Sequence, residues 1–128
     1  MSESISILIV DDNPSMASSL ADILEVKGFE VYTAHSGAEA LEILREHPVD
    51  ILLTDVRMPD MNGVELYRAT RQTHPHLITV LMTAYAADDI IQQGMAEGIK
   101  TVLQKPVDIG FLLNLFLSYK GNIFQAAG

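Results

Sequence analysis

Five short apolar or β-branched runs alternate with longer segments of helical period, and this alternation restricts the fold more than any other feature of the chain. The runs are "SILIV" (6–10), "FEVYTA" (29–34), "DILLT" (50–54), "LITVLM" (77–82) and "TVLQ" (101–104). Strands separated by helices pair in parallel through crossovers, which puts helices on both faces of one sheet. The predicted class is α/β: a doubly wound, five-stranded parallel sheet with five helices in three layers. Runs one, three and four are the most continuously apolar, so they belong at the centre, and the other two belong at the flanks. A length of 128 residues, 48% of them hydrophobic and 20% charged, suits one globular domain of this kind.

Local signals mark the helices. Asn13 is placed to cap the first, with Pro14 in the tolerant first turn and Met16, Leu20, Ile23 and Leu24 sharing a face; Gly28 stops it. "SGAE" at 36–39 reads as a capping box, Ser36 facing Glu39, before a helix that turns Ala40, Leu41 and Leu44 inward. A third helix is expected over about 62–73 and a fourth over about 87–97, ended by Gly98 and weakened by Gly94 at a cost of roughly 1 kcal/mol relative to Ala. The fifth follows Pro106 to about Lys120. Its core face is expected to hold Ile109, Leu112, Leu113 and Phe116, with Phe111 and Leu115 on another side. That second pair reads either as a contact surface or as a cover for Ile123 and Phe124 in the closing "GNIFQAAG".

Composition removes several functions. The chain has no cysteine, so disulfides and thiolate metal sites are excluded. A net charge of −9 opposes binding to a phosphate backbone, and the start of the chain carries Glu3 where an export signal would be basic, before an apolar stretch too short to span a bilayer. The expectation is a cytoplasmic protein that contacts neither nucleic acid nor membrane.

Chemistry-bearing residues gather at the carboxyl ends of the predicted strands, where open parallel sheets bind ligands. Asp11 and Asp12 follow the first run, Asp55 the third, Thr83 the fourth and Lys105 the fifth. Adjacent acids at the mouth of a buried strand repel each other unless something positive lies between them. Three carboxylates with neither cysteine nor clustered histidine suit a hard, oxygen-seeking cation, and so small a site suits Mg²⁺ better than a Ca²⁺ cage. His35, His47, His74 and His76 are scattered and are assigned no role.

With "VDD", "TDVRMPDMNG", "MTAY" and "QKP" in this order and spacing, the sequence resembles the response-regulator receiver domain, the phosphoacceptor module of two-component signalling. The resemblance covers nearly the whole chain and implies a flavodoxin-like receiver domain over 1–120, with 121–128 a tail or the start of a linker to an output domain. It implies that Asp55 accepts a phosphoryl group from a sensor histidine kinase or phosphotransfer protein. Asp12 and Asp55 would bind Mg²⁺ directly, Asp11 mostly through water, and the backbone carbonyl of Arg57 would supply another oxygen. Lys105 and the Thr83 hydroxyl would face the phosphoryl oxygens, and the Lys105–Pro106 peptide would be cis. It also implies a switch, not a turnover enzyme, with output or homodimerisation through helix four, strand five and helix five.

Three positions bear on how such a switch would work. Val102 stands where many receivers carry a switching aromatic, and a valine cannot swing as a ring does. Arg57 and Tyr85, two residues beyond Asp55 and Thr83, are expected to set how long the phosphoryl group lasts. A receiver-like interaction module independent of phosphorylation is the alternative. A Mg²⁺-dependent phosphatase of the haloacid-dehalogenase type would need an acid where Arg57 stands, together with a long cap insertion, and a flavin protein would not offer acidic "DDNPS" to a phosphate.

Overall fold

A computed structural model describes residues 4–121 and 123. Five strands, β1 (Ser6–Val10), β2 (Glu30–Ala34), β3 (Ile51–Asp55), β4 (Ile78–Thr83) and β5 (Thr101–Gln104), form one parallel sheet in the order β2-β1-β3-β4-β5. Each lies within a residue of the run that predicted it. The central positions of β1, β3 and β4 follow from their continuous apolarity: every residue of β1 and β3 is buried, whereas β2 and β5 each expose part of their length at the edges.

The strand pleat distributes side chains to two layers. Ile7 and Ile9 face α1 (Pro14–Val26) and α5 (Ile109–Ser118), in a core that also holds Leu24, Phe29, Leu112 and Phe116. Leu8 and Val10 face the opposite layer, α2 (Gly37–Glu46), α3 (Gly63–Thr70) and α4 (Asp89–Glu97), where Ala40, Leu44 and Leu66 meet them. Leu81 continues that layer with Val64, Tyr67, Ile91 and Ile99. Each fully buried Leu or Phe contributes about 1.5–3 kcal/mol by leaving water. Among the described residues, no helix is long and apolar enough to cross a membrane.

Several expectations are corrected. α1 packs through Leu24 and through Ala17 and Ala21, whose small size lets the helix approach the sheet, and this turns Met16 and Ile23 outward. Ser36 accepts from the Glu39 amide, but the Glu39 carboxylate turns to the His35 amide, so the box closes on one side only. A complete capping box lies instead at Asn62 and Glu65, each side chain accepting from the other's amide at 2.8 Å. α3 ends at Thr70, α4 begins at Asp89, and α5 runs from Ile109, capped by Asp108, to Ser118. On α5 the expected core face is buried or partly buried, yet Leu115 also packs against the core, so only Phe111 of the second pair is free, at 56% exposure. Ile123 packs against the same core, while Phe124 and most of the tail lie outside the described residues.

Gly94 is explained by packing. It is buried in α4, where a Cβ would meet Ile99 Cδ1 at 2.6 Å and a Val64 methyl at 3.2 Å, so the helix accepts a residue of poor propensity in exchange for close approach to α3.

Candidate functional site

The strand order reverses between β1 and β3, and the carboxyl ends of these strands carry the predicted acids. Asp11 follows β1 and is buried; its backbone amide bonds Ala34 of β2, and its Oδ1 accepts from the Asn13 amide at 3.0 Å. Asp55 ends β3 and is also buried, whereas Asp12 is exposed at the rim. Carboxylate oxygens of Asp11, Asp12 and Asp55 lie within 4.8 Å of one another. Among the described residues, this is the one group of three or more acidic or histidine side chains so arranged.

Lys105 arrives from the far side of the sheet. Its backbone amide donates to the Thr83 carbonyl at 2.8 Å, which extends the β4–β5 pairing by one step and directs the side chain across the strand ends. The ammonium then donates to Asp11 Oδ2 and Asp55 Oδ2, both at 3.1 Å. The Lys105–Pro106 peptide is cis, as expected. Thr83 is buried at the end of β4, and its hydroxyl oxygen accepts from the Tyr85 amide at 3.0 Å, which leaves the hydroxyl hydrogen as a donor.

Electrostatics matches this crowding. Burial pushes the Asp55 carboxyl up from its ordinary range, Lys105 pulls it back in part, and Asp11 and Asp12 push it further up. Burial works against the Lys105 ammonium, but its bonds to Asp11 and Asp55 outweigh that and hold it above the ordinary lysine range. One cation against three acids leaves the cluster net negative. With oxygen-only donors, these carboxylates fit a hard divalent ion.

Arg57 stands two residues past Asp55, and its guanidinium pairs with Asp88 at 2.8 Å while lying over the Tyr85 ring, 4.3 Å from the centroid. Val102 is partly buried against the Leu81 layer. Two of the histidines play structural parts: His47 stacks on Tyr32, and His74 lies 3.1 Å from the Leu44 carbonyl.

One contributor escaped the sequence reading. Asp60, in the loop between β3 and α3, accepts from the amides of Gly37 at 3.2 Å and Ala38 at 3.0 Å, and so ties the loop that follows Asp55 to the amino end of α2. Burial pushes its carboxyl up, but these amides, together with those of Met61 and Asp60 itself, prevail and hold it below the usual range. The only available signal was an acid in "MPD", and its partners lie more than twenty residues upstream.

Comparison with known proteins agrees with this geometry. The family model described as "Response regulator receiver domain" matches residues 7–116. A response regulator receiver protein of Anaeromyxobacter sp. is 44% identical over 108 residues, covering 84% of this chain and 45% of its own length. The response regulator PilR of Pseudomonas aeruginosa is 37% identical over 108 residues, covering 84% of this chain and 24% of its own. The crystal structure of a CheY-like response regulator receiver domain protein from Methanospirillum hungatei superposes with a TM-score of 0.90 at 28% identity, covering 96% of this chain and 98% of that one. The chain thus spans less than half the length of the curated relatives it matches. Family model, relatives and fold agree with a sheet edge that collects three acids and a lysine, and the chain belongs to the response regulator receiver domain family of two-component signalling.

Proposed function

We propose that this chain is a phosphoacceptor switch in which Asp55 takes a phosphoryl group from the phosphohistidine of a sensor histidine kinase or phosphotransfer protein. The observation that carries the reading is the meeting of Lys105 Nζ with Asp11 and Asp55, beside Asp12, at one sheet edge. Asp55 Oδ attacks phosphorus as the P–N bond to the donor imidazole breaks, and the departing ring takes up a proton. Lys105 neutralises the incoming phosphoryl oxygens, and the Thr83 hydroxyl donates to one of them. Asp11, Asp12, Asp55 and the backbone carbonyl of Arg57 would hold Mg²⁺. When bound, the ion offsets charge on the carboxylates and on the transferring oxygens. Water later cleaves the acyl phosphate and returns Asp55, so the signal is transient.

The domain occupies 1–120, and 121–128 is a tail or the beginning of a linker to an output domain. The reading puts the reaction in the cytoplasm, where kinases supply phosphoryl groups, and makes the module a switch without turnover on free substrates. Phosphorylation changes output or self-association through α4, β5 and α5, where Phe111 is exposed. Intact-mass measurement after incubation with acetyl phosphate tests the proposal. The chain should gain one phosphoryl group with Mg²⁺ and none with a chelator; no gain in either condition would favour a phosphorylation-independent interaction module.

A further inference from the structure

The two ends of α4 are held differently. At the carboxyl end, Glu97 accepts from Arg68 at 2.6 and 2.9 Å and from Arg71 at 3.1 Å, while its backbone carbonyl accepts from the Tyr67 hydroxyl. At the amino end, Asp88 occupies the cap position in extended backbone, yet its side chain makes no capping bond. Aspartate is among the best capping residues, so a cap-position aspartate turned away from its helix leaves a function unused. The Asp88 carboxylate is engaged with the Arg57 guanidinium instead, at 2.8 Å.

The Arg57 guanidinium is carried on the loop that follows Asp55. It lies over Tyr85, whose amide bonds the Thr83 hydroxyl, and it belongs to a residue two positions past Asp55. Its bond to Asp88 is exposed, with side-chain exposures of 62% and 35%, and exposed ion pairs are weak and exchangeable. A phosphoryl group offers more charge and more acceptor oxygens than one carboxylate, in a geometry that guanidinium matches well.

We propose that Asp88 is a positioning residue with two alternative partners, Arg57 in the resting chain and the Ile90 amide in the first turn of α4 once Arg57 turns to phosphorylated Asp55. Charge placed on Asp55 draws the guanidinium away, and the released Asp88 carboxylate caps the Ile90 amide, the Ile91 amide already donating to the Asp88 carbonyl at 3.1 Å. The amino end of α4 therefore tightens while its carboxyl end stays pinned at Glu97. This inference rests on the phosphoacceptor reading for its trigger, but the latch itself is a property of the unphosphorylated chain.

Amide hydrogen exchange over residues 89–92 tests the two parts separately. Without any phosphodonor, Arg57→Ala frees Asp88 and should slow exchange there by roughly three- to tenfold, the range expected of a gained cap. Asp88→Asn keeps a capping side chain but gives up the charge that holds Arg57, and should slow exchange in the same way. Asp88→Ala should leave the resting rate unchanged and, although still labelled by acetyl phosphate with Mg²⁺, should lose the slowing that labelling produces in the parent. Resting rates in Arg57→Ala and Asp88→Asn equal to the parent's would overturn the latch. A parent that takes no label would overturn the phosphoacceptor reading and leave the resting-state comparison to decide the latch alone.

Discussion

Lys105 Nζ lies 3.1 Å from Asp55 Oδ2, although the two residues stand fifty positions apart in the chain. The bond joins β3 to the end of β5 across β4 and places the one ammonium of the site against an acid that burial pushes above its ordinary range. Lys105→Met keeps the length of the side chain and removes the charge, so Asp11 and Asp55 are left buried without a counter-charge. In urea titrations without metal, the variant should lose about 1–3 kcal/mol at neutral pH. Mg²⁺ should restore part of the loss, since binding to the folded state alone stabilises it.

Asp12 contributes repulsion without a lysine bond, so its replacement should move stability and metal binding in opposite directions. Like charges at the separations found here repel by roughly 1 kcal/mol in water. Asp12→Asn should raise the metal-free unfolding free energy by up to about that amount. Titration calorimetry should show weakened Mg²⁺ binding in the same variant, and an unchanged Mg²⁺ titration would remove Asp12 from the ligand set.

Gly63 opens α3 directly against the backbone of Asp55. A Cβ there would stand 2.6 Å from the Asp55 carbonyl oxygen, and the Gly63 amide also donates to the Val56 carbonyl at 2.9 Å. The Asp55 backbone carbonyl cannot give way as the end of a side chain could. Gly63→Ala should cost about 1–3 kcal/mol in chemical denaturation despite the better helix propensity of alanine, and should slow labelling by acetyl phosphate.

Glu97 supplies the pH signature of the α3–α4 contact. Its hydrogen bonds and charge pairing with Arg68, reinforced by Arg71, hold its carboxyl below the ordinary glutamate range. An acid whose pKa is lowered on folding stabilises the fold fully above its unfolded value and loses that contribution as pH falls through the folded one. Parent minus Glu97→Gln stability should therefore be constant from neutrality to the top of the ordinary carboxylate range, then shrink on further acidification. Melting curves at a series of pH values measure it, and a difference that grew with acid would contradict the pairing.

The sheet was readable in the sequence because apolar continuity is a local property: β1, β3 and β4 announce their central places, and the strand-end positions of Asp11, Asp55, Thr83 and Lys105 follow from the alternation alone. Helix faces were less legible. Large side chains dominate a helical wheel, yet α1 seats itself through Ala17 and Ala21, where small size permits contact. Gly94 likewise reads as a defect until Ile99 and Val64 are seen against it. Side-chain contacts between elements distant in the chain were not legible at all. Asp60 with Ala38, Arg57 with Asp88 and Arg68 with Glu97 join residues more than twenty positions apart, and no periodicity encodes such pairs.

The most direct measurement locates the phosphoryl group. After incubation with acetyl phosphate and Mg²⁺, the acyl phosphate is reduced with borohydride and the chain is mapped by peptide mass spectrometry. The reduced residue should lie at position 55, and Asp55→Asn should carry no label. A label at another position, or undiminished labelling of Asp55→Asn, would contradict the assignment of Asp55.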